Sequence, residues 1–256
     1  MASHDAWIAC RTARPRARVR LFCFPYAGGG ASLFRTWSAD FPPEIEVCPV
    51  QLPGREGRIS EPLFERLSPL VAAVDAGLRL LMDKPFAFFG HSMGALIAFE
   101  LARTLRRRGA PAPVHLFASG CLPPHIPDRR PFHHLSDADL IKGLIELGGM
   151  SEDMLQHKEL LEFMVPILRA DSAVTETNVY TEEAPLRCPI TALGGIDDDL
   201  VTLEDMAAWR QHTSGAFVEE RLPGSHFFLQ SARAEVIGVV ARRLLATLPG
   251  ARLPPP

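Results

Sequence analysis

A chain of 256 residues is long enough to bury the core of one α/β domain, and its balance of 47% hydrophobic to 22% charged residues excludes a disordered polymer. A formal net charge of -3 excludes the global positive field with which proteins gather nucleic acid, so any basic docking site must be local. Five cysteines (Cys10, Cys23, Cys48, Cys121, Cys188) with no Cys-x-x-Cys pair exclude a disulfide framework or a zinc site and fit a reducing cytoplasm.

The opening MASHDAWIAC holds no apolar core of signal-peptide length, and the arginines at 11, 14, 16, 18 and 20 follow it instead of preceding it. Residues 1–17 therefore read as a solvated lead-in broken by Pro15, on a protein expected in the cytoplasm. No apolar run approaches the ~20 residues that cross a bilayer, so no membrane partner is expected. From position 18 a repeated grammar begins. The apolar run 19–24 (VRLFCF) is stopped by PYAGGG, and further strand candidates lie at 45–50, 86–89, 114–118, 190–193 and 216–222. Between them the spacing predicts helices over 67–82, with Ser68 before Pro69 as a start signal, and over 93–108, ended by Gly109. A third is predicted over 231–248, ended by Pro249, and Thr202 with Asp205 opens a shorter one through Trp209 as a capping box. Strands alternating with helices imply an α/β fold with a mostly parallel, doubly wound sheet, its core at 18–120 and 186–249. The interval 121–185 breaks the alternation with helical stretches at 137–147 and about 152–180 and no strand. It is expected to be an inserted helical lid over the carboxyl ends of the strands. The end of the chain, 250–256, reads as a frayed Pro-rich tail.

Directly after the strand FAFF stands Gly90-His91-Ser92-Met93-Gly94, a G-x-S-x-G that opens a helix. The string alone is as often a plain turn. In this place it is the strand-to-helix elbow of an α/β-hydrolase fold, which exposes a serine hydroxyl at a helix N-terminus. Serine needs a histidine to take its proton, and the histidine needs a carboxylate to orient it. Chain order in such folds is Ser, acid, His, with the histidine after the last strand, and His226 in Leu222-Pro223-Gly224-Ser225-His226 occupies that place. His91 is locked beside the serine, His115 lies in a strand, and His125, His133, His134 and His157 belong to the insertion. The acid should end a strand, and Asp197, Asp198 and Asp199 all follow ITALGG. The oxyanion formed on attack requires backbone donors, expected at Met93 and at Ala27 in the loop after the first strand. A dinucleotide reading of that loop fails because Leu33 stands where G-x-G-x-x-G requires glycine, and no metal-ligand spacing exists.

Taken together, LFCFPYAGGGAS, QLPGRE (51–56), FGHSMGALIAFELAR, LRAD (168–171) and LPGSHFFL resemble the type II thioesterases, the stand-alone hydrolases that accompany polyketide and nonribosomal peptide synthases. The likeness runs from about Arg18 to Leu245. In that family the aspartate of Gly-x-x-Asp-Pro-x-Val completes the triad. Asp198 takes that register, with Asp199 in place of the proline, so the resemblance implies Ser92–His226–Asp198. It also implies a helical lid, no cofactor, and as partner an acyl or peptidyl carrier protein whose phosphopantetheine thioester is hydrolysed to clear stalled or aberrant acyl groups. The rivals are a carboxylesterase or lipase, a chain-terminating or cyclising thioesterase, and an inactive carrier-binding protein. Carrier proteins are acidic, so Arg129, Arg130 and Arg106–Arg108 are candidate docking cations, although the last three also suit a helix C-terminus. Phe132, Met150, Met154, Phe163 and Met164 are candidates either for an acyl pocket or for lid core.

Overall fold

The computed structural model describes residues 6–129, 131–149 and 156–248. Six strands, β1 (Val19–Phe24), β2 (Ile45–Pro49), β3 (Phe86–His91), β4 (Leu116–Ser119), β5 (Ile190–Gly195) and β6 (Phe217–Leu222), form one sheet in the order β2-β1-β3-β4-β5-β6. Every neighbouring pair is parallel. Parallel strands need crossovers, and the crossover helices cover both faces, which is why VRLFCF is buried at all six positions instead of alternating with polar residues. Phe22, Phe24, Phe88 and Leu116 pack on one face with α2 (Leu67–Leu78), α3 (Met93–Arg107) and Trp209. Leu21, Cys23, Ala87 and Phe89 pack on the other with Trp37 of α1 (Trp37–Asp40) and with the C-terminal helices α7 (Phe228–Ser231) and α8 (Arg233–Thr247). Because all the strands run the same way, the carboxyl ends of β1, β3, β5 and β6, and the loops that follow them, lie along one edge of the sheet.

The helix predicted over 67–82 does start at 67, two residues before the Pro69 of its Ser-Pro signal. Leu67 is its first residue, Arg66 precedes it without a side-chain cap, and a tighter turn takes over at 79–81. The helix predicted over 231–248 is α8, and the short α7 precedes it, separated from it by Ala232. Thr202 and Asp205 do form a reciprocal capping box at the start of α6 (Leu203–Ala208).

Between β4 and β5 lie α4 (Asp137–Glu146), capped by the Ser136 hydroxyl, and α5 (Lys158–Glu176), shorter than the predicted 152–180. The two share a small core of their own, Leu140, Val165 and Leu168, with Phe132, Leu144 and Met164 packed against it. Phe163 is 49% exposed, while Met150 and Met154 lie outside the described residues. Among the described residues no helix is long and apolar enough to cross a membrane.

Candidate active site

Ser92 sits between the last residue of β3 and the first of α3 with φ 52° and ψ -119°, a conformation that costs a residue with a side chain of order 1–3 kcal/mol. The turn is possible only because its flanks lack side chains. A Cβ on Gly90 would lie 2.2 Å from the Gly94 carbonyl oxygen, and one on Gly94 would lie 2.2 Å from that of Phe24. The Ser92 N–H donates to the Ser119 carbonyl (2.8 Å), which ties the elbow to β4. The half-buried side chain lines a cavity of about 360 Å³ together with Met93, Leu122, Thr175, Val201 and His226.

The loops that carry His226 and the three aspartates meet backbone to backbone. A Cβ on Gly195, at the end of β5, would lie 2.4 Å from the Gly224 carbonyl oxygen and 2.5 Å from that of Ser225. Asp197 and Asp199 are exposed, Asp199 at the mouth of the cavity, whereas Asp198 is buried. Its Oδ2 accepts from His226 Nδ1 at 2.9 Å and its Oδ1 from the Leu200 N–H at 2.9 Å. Burial pushes the Asp198 carboxyl up, but the hydrogen bond and charge of His226, with the Leu200 N–H, outweigh it and hold the group below the usual carboxylate range. With Nδ1 so engaged, Nε2 is the ring nitrogen left to accept a proton from the cavity side. No hydrogen bond joins it to the Ser92 hydroxyl in this structure, as is common before substrate binds.

His91, inside the elbow, buttresses the loop of His226. Burial, with the neighbouring His226 ring, pushes it down to about 3, so it is neutral. Its Nε2 lies 2.9 Å from the His226 carbonyl oxygen, which can only accept, so the proton belongs on Nε2 and Nδ1 accepts from the Ser119 hydroxyl at 2.9 Å. The sequence shows His91 as a motif letter. Its bond to a residue 135 positions away has no local signal.

The loop after β1 turns at Tyr26–Gly29, closed by the Gly29 N–H on the Tyr26 carbonyl (2.9 Å). Gly28 has φ +79°, the value required at the third position of a type II turn. Gly28, Gly29, Ala31 and Ser32 all donate their N–H groups within the chain, to Asp171, Tyr26, Gln51 and Glu56. The N–H groups of Ala27 and Met93 make no hydrogen bond among the described residues, as donors kept for a ligand must not. These two donors, a serine on a strained elbow and an imidazole backed by a buried carboxylate are the parts needed to attack an acyl carbon and to hold the resulting oxyanion.

The arginines read from sequence as a docking patch are occupied. Arg106 and Arg107 pair with Glu183, Arg108 with Asp75 (2.8 Å), and Arg129 grips Asp205 with both nitrogens at 2.7 Å. Arg130 lies outside the described residues.

Comparison with known proteins gives a consistent picture. A protein of Brevibacillus parabrevis named linear gramicidin dehydrogenase LgrE is 43% identical over 254 residues, 98% of this chain and 97% of that one. RedJ, a thioesterase from the prodiginine biosynthetic pathway of Streptomyces coelicolor, superposes with a TM-score of 0.85 at 41% identity over 92% of each chain. YbtT, a type II thioesterase from the yersiniabactin NRPS/PKS pathway, superposes with a TM-score of 0.85 at 32% identity, over 94% of this chain and 99% of that one. The family model described as Thioesterase domain matches residues 19–244. The chain thus belongs to the thioesterase domain family, and it is a hydrolase.

Proposed function

We propose that this protein is a stand-alone, type II thioesterase that hydrolyses acyl groups from the phosphopantetheine arm of a carrier protein, clearing stalled or aberrant intermediates of a polyketide or nonribosomal peptide synthase. Its α/β-hydrolase core is 18–120 with 186–249, 121–185 is a lid, and it works in the cytoplasm, which suits its free thiols. The observation that carries the reading is the Asp198–His226 pair facing the cavity that Ser92 lines.

Ser92 Oγ attacks the thioester carbonyl as its proton passes to His226 Nε2. The carbonyl electron pair moves to oxygen, where the Met93 and Ala27 N–H groups receive it. The intermediate collapses, the C–S bond breaks, and the departing sulfur takes the proton from His226. Water then attacks the acyl-Ser92 ester, giving its proton to His226, and the free acid leaves as Ser92 recovers its own. Asp198 stays ionised throughout and holds the ring with Nε2 forward. The name of the Brevibacillus relative says dehydrogenase, and a dehydrogenase of the dinucleotide-binding type would carry a G-x-G-x-x-G loop. Here the glycine loop leads into a single turn, Ala31–Phe34, with Leu33 where the third glycine of a dinucleotide motif would stand.

Turnover of the same acyl group on a carrier protein, on coenzyme A and as an oxygen ester tests the reading. The highest kcat/KM is expected on the carrier. A preference for the oxygen ester would make the protein a carboxylesterase.

A further inference from the structure

The motifs Gln-Leu-Pro-Gly-Arg-Glu and Leu-Arg-Ala-Asp have no part in the triad, yet they converge on the turn that carries Ala27. Asp171, on α5 of the insertion, is 1% exposed, and Arg55, on the loop after β2, is 4% exposed. The two form a buried fork. Arg55 Nη2 donates to Asp171 Oδ1 at 2.8 Å and Arg55 Nη1 to Oδ2, while the same Oδ2 accepts the Gly28 N–H at 2.7 Å. Arg55 Nη1 also reaches the Gly29 carbonyl at 3.4 Å.

The Gly28 N–H belongs to the central peptide of the Tyr26–Gly29 turn. The orientation of that peptide is what separates a type II turn from a type I turn, since flipping it exchanges the places of the Ala27 carbonyl and the Gly28 N–H. A carboxylate at that spot accepts the N–H and repels the carbonyl oxygen, so it selects the observed form. Such a flip would leave the neighbouring Tyr26–Ala27 peptide in place, so what the carboxylate adds for that peptide is an anchor one residue away, through the Gly28 N–H. The Tyr26 carbonyl is held by Gly29, and because a trans peptide points its N–H opposite to its carbonyl, the Ala27 N–H has one direction left. The insertion also seals the turn by contact, for a Cβ on Gly28 would lie 2.5 Å from Leu168 Cδ2 on α5.

We propose that Asp171, with Arg55, is a positioning residue for the reaction: it anchors the turn that presents the Ala27 N–H to the oxyanion, so the lid helix supports the oxyanion hole as well as covering it. The inference rests on the assignment of Ser92 and Ala27 above.

The test replaces both partners by apolar groups of similar bulk, Arg55→Met with Asp171→Leu. A buried ion pair exchanged in this way commonly leaves a protein folded, whereas removing one partner strands a charge. On a short acyl-N-acetylcysteamine thioester kcat is expected to fall about 10- to 100-fold with KM little changed, less than the 10² to 10³ that loss of a donor costs. Affinity for an alkyl boronic acid, which bonds to the serine oxygen and places its own oxygen in the oxyanion hole, should fall by a similar factor. Arg55→Lys keeps the charge but loses the fork; it should show a smaller fall in kcat and decides the matter if the double variant does not fold. A folded variant with wild-type kcat and wild-type boronate affinity overturns the proposal even if its Tm is lower, because a merely structural pair would lower Tm alone. Ser92→Ala retaining hydrolysis would instead overturn the assignment beneath it.

Discussion

Asp198 differs from Asp197 and Asp199 only in where the turn after β5 points it. Three identical side chains in a row give the sequence no means of ranking them, and only the family register favoured the middle one. In the structure it is the buried member, with both oxygens bonded, while its neighbours are exposed. Removing its charge should therefore act as losing the orientation of His226 does in a triad. Asp198→Asn is expected to lower kcat about 10⁴-fold, while Asp197→Asn and Asp199→Asn stay near the wild-type value in the same steady-state assay. A large loss at either neighbour and none at Asp198 would move the acid.

At the scale of elements, what the sequence made legible is what neighbouring residues decide. The six apolar runs, the Ser92 elbow and the Thr202–Asp205 capping box each depend on spacing within a few residues, and each is found where it was read. What was not legible depends on partners far along the chain. The pairing of Arg106 and Arg107 with Glu183, more than 70 positions later, has no local signal. Arg55 and Asp171 are separated by 116 positions. The glycines of the elbow fall between the two cases, their spacing visible and their necessity three-dimensional. Gly94→Ala forces a Cβ against the Phe24 and Pro25 carbonyl oxygens, at 2.2 and 2.7 Å, so it should cost about 3 kcal/mol or more in urea unfolding. Gly57→Ala, where a Cβ would meet nothing within 4 Å, should cost less than about 0.5 kcal/mol. Equal losses at the two sites would contradict the close packing at the elbow.

For the whole molecule, three buried histidines make stability depend on pH. Burial lowers His91 to about 3, and His115 and His212 to about 4 each. An unfolded histidine titrates near 6.5, so below that value the unfolded chain binds protons that the folded one refuses. The stability these groups contribute is complete above pH ~6.5 and is lost as the pH falls from there toward 4, each adding a slope of up to about 1.4 kcal/mol per pH unit. The most strongly lowered carboxylate, Glu46 at about 2, begins to contribute to this dependence only as the pH falls below about 4.5, outside the range from pH 7.5 to 5.5. The urea midpoint should hence be lower at pH 5.5 than at pH 7.5. An unchanged midpoint would mean that these rings take up protons in the folded state.

The central claim is that the acyl group passes through Ser92. Mixing the protein with an acylated carrier, quenching within one turnover and weighing the intact chain tests it most directly. The account predicts a mass gain equal to the acyl group, mapped to the peptide holding Gly90-His91-Ser92 and absent in Ser92→Ala. Acid released at the wild-type rate by Ser92→Ala, or an adduct on any other residue, would contradict it.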